Sequence, residues 1–190
     1  NTVHVHKMGG CVDAAAGQCQ YSYDSILGAR HGIRARRIKE RAKYPGDEGN
    51  VIGGDESGVD AAIGLANAGK TVTMLSRDQG GSSDHKDPSI ALSPFTRQRL
   101  ARARKSKRIR LIGEVDVLGL EKVNGSIQVM ATNGTSWQSA SAPILATGYR
   151  GSTGLIADWL DFDENGHPIL TAQDESTQLP GLYLVGPEVR

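Results

Sequence analysis

Cysteine is nearly absent from this chain of 190 residues: Cys11 and Cys19 are the only two. Their spacing is neither the Cys-x-x-Cys of a redox pair nor half of a zinc site, so they read as plain reduced thiols of an intracellular protein. Aromatic residues make up only 5% of the chain. The core must therefore come mainly from Val, Ile, Leu and Ala, as in many α/β sheets. No apolar run reaches the roughly 18 residues of a membrane span, and no signal peptide heads the chain, so a soluble cytoplasmic protein is the expectation. Formal net charge is +1, which supplies no overall field for nucleic acid or membrane. Internal repeats and low-complexity tracts are also missing. The chain opens on Asn1 rather than Met, which reads as a processed product or a fragment.

The most informative stretch runs from Val51 to Arg77 and reads as strand, glycine turn, helix, turn and strand. Val51 and Ile52 end a buried strand, and Gly53 and Gly54 supply a turn that a Cβ would strain. Val59, Ala62, Ile63 and Ala66 then recur at i, i+3, i+4 and i+7, a small apolar face suited to lying close on a sheet. Gly69 closes the helix, and Thr71 to Leu75 returns as a strand. The free N–H groups and positive dipole end of such a helix point at whatever lies over Gly53, Gly54, Asp55, Glu56, Ser57 and Gly58, which suits a pyrophosphate. The bland alternative is a structural turn. Asp55 stands where the usual Gly-x-Gly-x-x-Gly pattern has its second glycine, and a carboxylate there adds bulk and negative charge.

At the end of the second strand, Ser76 and Arg77 point to NADP, whose 2′-phosphate needs a base; Asp78 keeps NAD as the alternative, and a solvated arginine is the bland reading. Eight cationic residues fall between Arg97 and Arg110 without interleaved aromatics, the pattern of a solvated helix face rather than a nucleic-acid surface. His4 and His6 with Cys11 lack a fourth ligand nearby, and Asp161, Asp163 and Glu164 beside Asn165-Gly166 read as an exposed turn rather than a calcium loop. Neither a metal site nor a catalytic residue is nominated.

Along the chain, residues 1–49 form a segment of unassigned role in which a helix over about 25–44 is possible. Pro45 to Gly49 reads as a turn, leaving only Asn50 to Ile52 for the strand before Gly53. Residues 78–90 read as a polar loop, and Ser93-Pro94 opens a helix to about Lys105. From Ile109 the period changes to two: 109–112, 115–120, 127–131 and 136–140 read as strands, with hairpin turns at Asn124-Gly125 and Asn133-Gly134. The expectation is an α/β, three-layer Rossmann-like fold with an antiparallel β-meander.

Val51-Ile-Gly-Gly-Asp-Glu-Ser-Gly58, the meander, Ala146-Thr-Gly-Tyr149 and Thr177-Gln-Leu-Pro-Gly-Leu-Tyr-Leu-Val-Gly186 come in one order. In that order the chain resembles the NAD(P)-binding part of a flavin-containing monooxygenase-like oxidoreductase, within the pyridine nucleotide-disulfide reductase superfamily. The resemblance implies an FAD/NAD(P)-binding fold in which residues 50–147 form the NAD(P)-binding domain and 148–190 return towards an incomplete FAD-binding domain. It adds Thr147 and Gly148 to the candidate cofactor-binding residues. It also implies NADP or NAD as the ligand, FAD in the complete protein, and hydride transfer from nicotinamide to flavin. Pro187 follows Gly186 where the family usually has an aspartate. The rival reading is a non-catalytic nucleotide-binding or interaction module with a degenerate site; in either case the expected partners are a dinucleotide and an unidentified small-molecule substrate.

Overall fold

A computed structural model describes residues 5–8, 11–14, 20–21, 26–35, 38, 41–78, 92–150, 153–164 and 166–185. The strands in chain order are β1 (Val5–Met8), β2 (Cys11–Ala14), β3 (Gln20–Tyr21), β4 (Ile33–Arg34), β5 (Glu48–Ile52), β6 (Thr71–Leu75), β7 (Ile109–Ile112), β8 (Val117–Val123), β9 (Ser126–Ala131), β10 (Ser136–Ser139), β11 (Ile144–Leu145), β12 (Tyr149–Arg150), β13 (Asp161–Phe162) and β14 (Pro168–Ile169). Among the described residues there are two α-helices, α1 (Glu56–Asn67) and α2 (Pro94–Arg104). The chain divides into two compact units, Ser22–Gly148 and a second made of Asn1–Tyr21 with Tyr149–Arg190.

In the larger unit a five-stranded parallel sheet has the order β4-β11-β5-β6-β7. Successive side chains of a strand face opposite ways, and this sheet buries both faces. Val51, Val72, Met74 and Ile144 join Val59, Ala62, Leu65 and Leu100 from α1 and α2 in one core. Their neighbours Ile52, Leu75 and Leu145 join Val115, Val117, Leu120, Ile127 and Val129 in another. The antiparallel meander β10-β9-β8 forms the third layer. Asn124 (φ 50°) and Gly125 (φ 86°) make its first hairpin turn, both with the left-handed backbone a tight two-residue loop needs.

Three details differ from the sequence reading. The strand before the glycine turn starts at Glu48, inside the Pro45 to Gly49 segment, and so reaches five residues. The buried Lys70 holds that segment by donating from Nζ to the Gly46 carbonyl at 2.6 Å, and Tyr44 donates to the Ala142 carbonyl at 2.8 Å. Ile109–Ile112 does not begin the meander: it pairs in parallel with β6, because α2 carries the chain back across the sheet first. Among the described residues of 25–44, short 3₁₀ turns at Ala29–His31 and Arg41–Lys43 flank β4 in place of a helix. Gly28, at φ 68°, breaks the helical path and lies against the Leu120 carbonyl.

α1 ends as the sequence implies. Gly69 (φ 86°) donates to the Ala66 carbonyl, and Lys70 N–H donates to Leu65, closing a Schellman motif. In the smaller unit, β1 pairs with β2, β3 with β12 and β13 with β14, all antiparallel. A separate cluster of Ile156, Leu160, Leu182 and Leu184 supports it. The loop expected at 78–90 and the Gly186-Pro187 pair lie outside the described residues apart from Asp78, as do His4 and Asn165.

Candidate functional site

The parallel sheet has a topological switch beside β5: β6 follows it on one side through α1, whereas β11 arrives on the other side after the meander. In open α/β sheets the crevice outside the strand ends at such a point is where ligands bind. Gly53, Gly54, Thr147 and Gly148 all lie at these strand ends. Gly53 N–H donates to the Leu75 carbonyl at 2.9 Å, and Ala146 N–H donates to Ile52 at 2.8 Å, so the ends of β5, β6 and β11 are stitched together.

Space in the crevice is set by backbone. Gly53 has φ 115°, and a Cβ there would stand 2.1 Å from the Ala146 carbonyl oxygen. A Cβ on Gly58 would stand 2.1 Å from the Gly53 carbonyl oxygen, and one on Gly54 would meet the Ser76 hydroxyl at 2.1 Å. These glycines let α1 begin directly on the strand end. Among the described residues, Val59 is the first residue of α1 whose N–H has a backbone acceptor behind it, the Asp55 carbonyl at 2.9 Å, and the Asp55 side chain does not cap the helix. The N–H groups of the first turn, at Glu56, Ser57 and Gly58, thus face the crevice end as donors, which fits a dinucleotide's pyrophosphate.

The acidic residues divide between roles. Asp55 is the N-cap residue by position, with φ −81° and ψ −175°, yet its carboxylate makes no capping bond. Burial first, then the charges of Asp78 and Glu56, push its carboxyl above its ordinary range. Glu56 turns to α2: its carboxylate accepts the Ser93 N–H at 2.7 Å and the Thr96 hydroxyl. Burial alone raises the Glu56 carboxyl, but the bonds from Thr96 and Ser93, with Arg99 nearby, outweigh it and hold the group below its ordinary range. Arg99 also pairs with Asp60 of α1 at 2.7 Å. One member of the basic run is therefore a helix-to-helix strut, and another, Arg108, donates to the Gly69 carbonyl.

At the end of β6, the buried Ser76 donates its hydroxyl to Asp78 at 2.7 Å. The exposed Arg77 donates from Nε to Asp116 at 2.8 Å. The structure thus brings Gly53, Gly54, Gly58, Ser76, Thr147 and Gly148 to one crevice, with Asp55 and Ser57 at the start of α1. It takes the Glu56 carboxylate to α2 and the Arg77 guanidinium to Asp116. Asp116 and the Ser93–Thr96 cap carry no local sequence signal for these contacts. Among the described residues no cluster of His, Cys, Asp and Glu could hold a metal ion.

Fold and crevice define the class, an α/β domain of the dinucleotide-binding type. The pattern of the pyridine nucleotide-disulphide oxidoreductase family matches residues 11–186, and the chain belongs to that family. It is 29% identical over 157 residues to a ferredoxin–NADP reductase of Paramagnetospirillum magneticum, covering 78% of this chain and 43% of the relative. Among solved structures, Lactococcus lactis thioredoxin reductase shares the fold with a TM-score of 0.68 at 18% identity, covering 99% of this chain and 65% of that one. A bacillithiol disulfide reductase from Bacillus cereus does so with 0.67 at 20% identity, covering 88% and 49%. The chain spans less than half the length of the ferredoxin–NADP reductase that it matches.

Proposed function

We propose that this chain is the NAD(P)H-binding portion of a flavin-dependent oxidoreductase that passes hydride from nicotinamide to FAD in the complete protein. The observation that carries the reading is the crevice at the ends of β5 and β11, where three glycines exclude side chains and the uncapped first turn of α1 presents its N–H groups. In this reading Gly53 to Gly58 hold the pyrophosphate, Ser76 and Arg77 face the adenosine ribose, and Thr147 and Gly148 form the opposite wall. Arg77 supplies the charge-assisted bond that a 2′-phosphate takes and NADH lacks, so NADPH is the preferred ligand. FAD supplies the redox chemistry when bound, and this chain supplies the donor's site. The monooxygenase-like form of the reading rests on the order of the motifs Val51 to Gly58, Ala146 to Tyr149 and Thr177 to Gly186. No helix among the described residues is long and apolar enough to cross a membrane, and we place the enzyme in the cytoplasm.

Calorimetric titration of the chain with NADPH and NADH tests the reading. NADPH is expected to bind more tightly, and Arg77→Ala to remove the difference. Binding of neither nucleotide overturns the assignment in favour of a non-catalytic module, the reading to which the acidic side chains of Asp55 and Asp78 beside the glycine turn would then belong.

A further inference from the structure

We propose that Asp116 sets the choice between NADPH and NADH by competing with the 2′-phosphate for Arg77, an inference that rests on the nucleotide reading above. Arg77 and Asp116 are 39 residues apart in sequence and joined by a 2.8 Å bond, and Arg77 directly follows Ser76, whose hydroxyl lies against Gly54 of the crevice. The two partners are not equally free to move. The backbone that carries Asp116 is held from both sides: Val115 N–H donates to the Ser76 carbonyl at 2.8 Å, and Thr132 N–H donates to the Asp116 carbonyl at 2.9 Å. Val115 is itself buried. The turn that brings this segment under Ser76 places Glu114 at φ 59°, a left-handed backbone that a non-glycine residue adopts at a cost. The Arg77 side chain, by contrast, is 76% exposed and flexible along its whole length. The long guanidinium arm is thus the freer of the two, and the short carboxylate, 51% exposed, stands on an anchored backbone.

An exposed ion pair of this kind contributes little stability, so a stronger acceptor displaces it. A 2′-phosphate carries more charge than a carboxylate and accepts a guanidinium in a two-bond fork. NADPH therefore takes Arg77 and leaves the Asp116 carboxylate in place beside a like charge. NADH has nothing to offer Arg77 and leaves the pair intact. Asp78, already drawn to Ser76, is an acceptor suited to the free ribose hydroxyls of NADH, and it is the same in every variant compared below. Asp116 thus acts as a specificity-determining residue that lowers the NADPH preference Arg77 would otherwise confer.

The test is calorimetric titration of the 190-residue chain and its Asp116→Asn, Arg77→Ala and doubly substituted variants with both nucleotides. Asp116→Asn keeps the shape and removes the charge. It is expected to tighten NADPH binding about three- to tenfold, with NADH affinity changed less than about twofold because no phosphate meets the altered site. In the Arg77→Ala background the same substitution should lose most of its effect on NADPH. NADPH affinity that is unchanged or weaker in Asp116→Asn, or a full gain that persists without Arg77, overturns the role of Asp116 while leaving the nucleotide reading intact. Failure of the unsubstituted chain to bind either nucleotide overturns both.

Discussion

The glycines at the crevice and the glycines at the hairpin tips share a residue type and a sequence appearance, but not a reason. Gly53 and Gly58 each lie where a Cβ would stand 2.1 Å from a backbone oxygen, whereas Gly125 and Gly134 have nothing within 4 Å of theirs. At the tips the requirement is conformational, with φ of 86° and 82°. At the crevice it is the approach of one piece of backbone to another. The first kind of glycine tolerates a side chain at the cost of a strained φ; the second forces the strand end and the helix apart, and with them the donors aimed at the crevice.

Substitutions sharpen that contrast, and the largest effect belongs to Gly53→Ala. It combines a backbone clash with φ 115°, and we expect a loss of about 3 kcal/mol or more, read as a lowered midpoint in urea unfolding. A loss below about 1 kcal/mol would show that β11 yields easily, and would remove the distinction between the two kinds of glycine. Next comes Asp55→Gly. Removing a carboxylate that lies near Asp78 and Glu56 is expected to tighten NADPH binding about tenfold, with Asp55→Asn recovering only the charge part. Weaker binding in the glycine variant would mean that the carboxylate points away from the phosphates.

Glu56→Gln tests whether the crevice helix depends on α2. It weakens the bonds to Ser93 and Thr96 and should cost about 1 kcal/mol near neutral pH. Because the folded protein holds this carboxyl below its ordinary range, the contribution is present above the ordinary value and is lost as pH falls through the lowered one. Thermal unfolding of both proteins should therefore converge in acid; a difference that persists at the lowest pH would assign the effect to shape rather than charge. Gly125→Ala is expected to cost a similar amount, about 1 kcal/mol, and to leave nucleotide affinity untouched.

Asp55 has the opposite sign of pH dependence. Its raised carboxyl means that the folded state binds the proton more tightly than the unfolded chain does, so stability falls as pH rises through the window just above the ordinary aspartate value. Asp55→Asn should accordingly raise the melting temperature slightly at neutral pH, with the gain fading below that window. A gain that does not change with pH would place the cause in packing.

Much of this was legible locally. The helix face of Val59, Ala62, Ile63 and Ala66, the closing Gly69, the Ser93-Pro94 start of α2 and both hairpin turns are patterns of neighbours in sequence, and each forms where the residues imply. What could not be read was partnership. Ile109–Ile112 is a short apolar run that suits a meander or a parallel sheet equally, and only the path of α2 puts it beside β6. The extended path of Ile33–Arg34 depends on pairing with Ile144–Leu145, more than a hundred residues later in the chain.

The amino-acid sequence by itself determined the strand–turn–helix–strand unit, because its glycines, its small apolar helix face and its β-branched strand act on residues within a few positions of one another. Tertiary structure alone decided where the charged side chains of that unit went. Glu56 is drawn to a helix start 37 residues on, and Arg77 to a carboxylate 39 residues on. A charge has no local preference strong enough to choose its partner; the partner is whichever opposite charge or donor the packed sheet brings within about 3 Å.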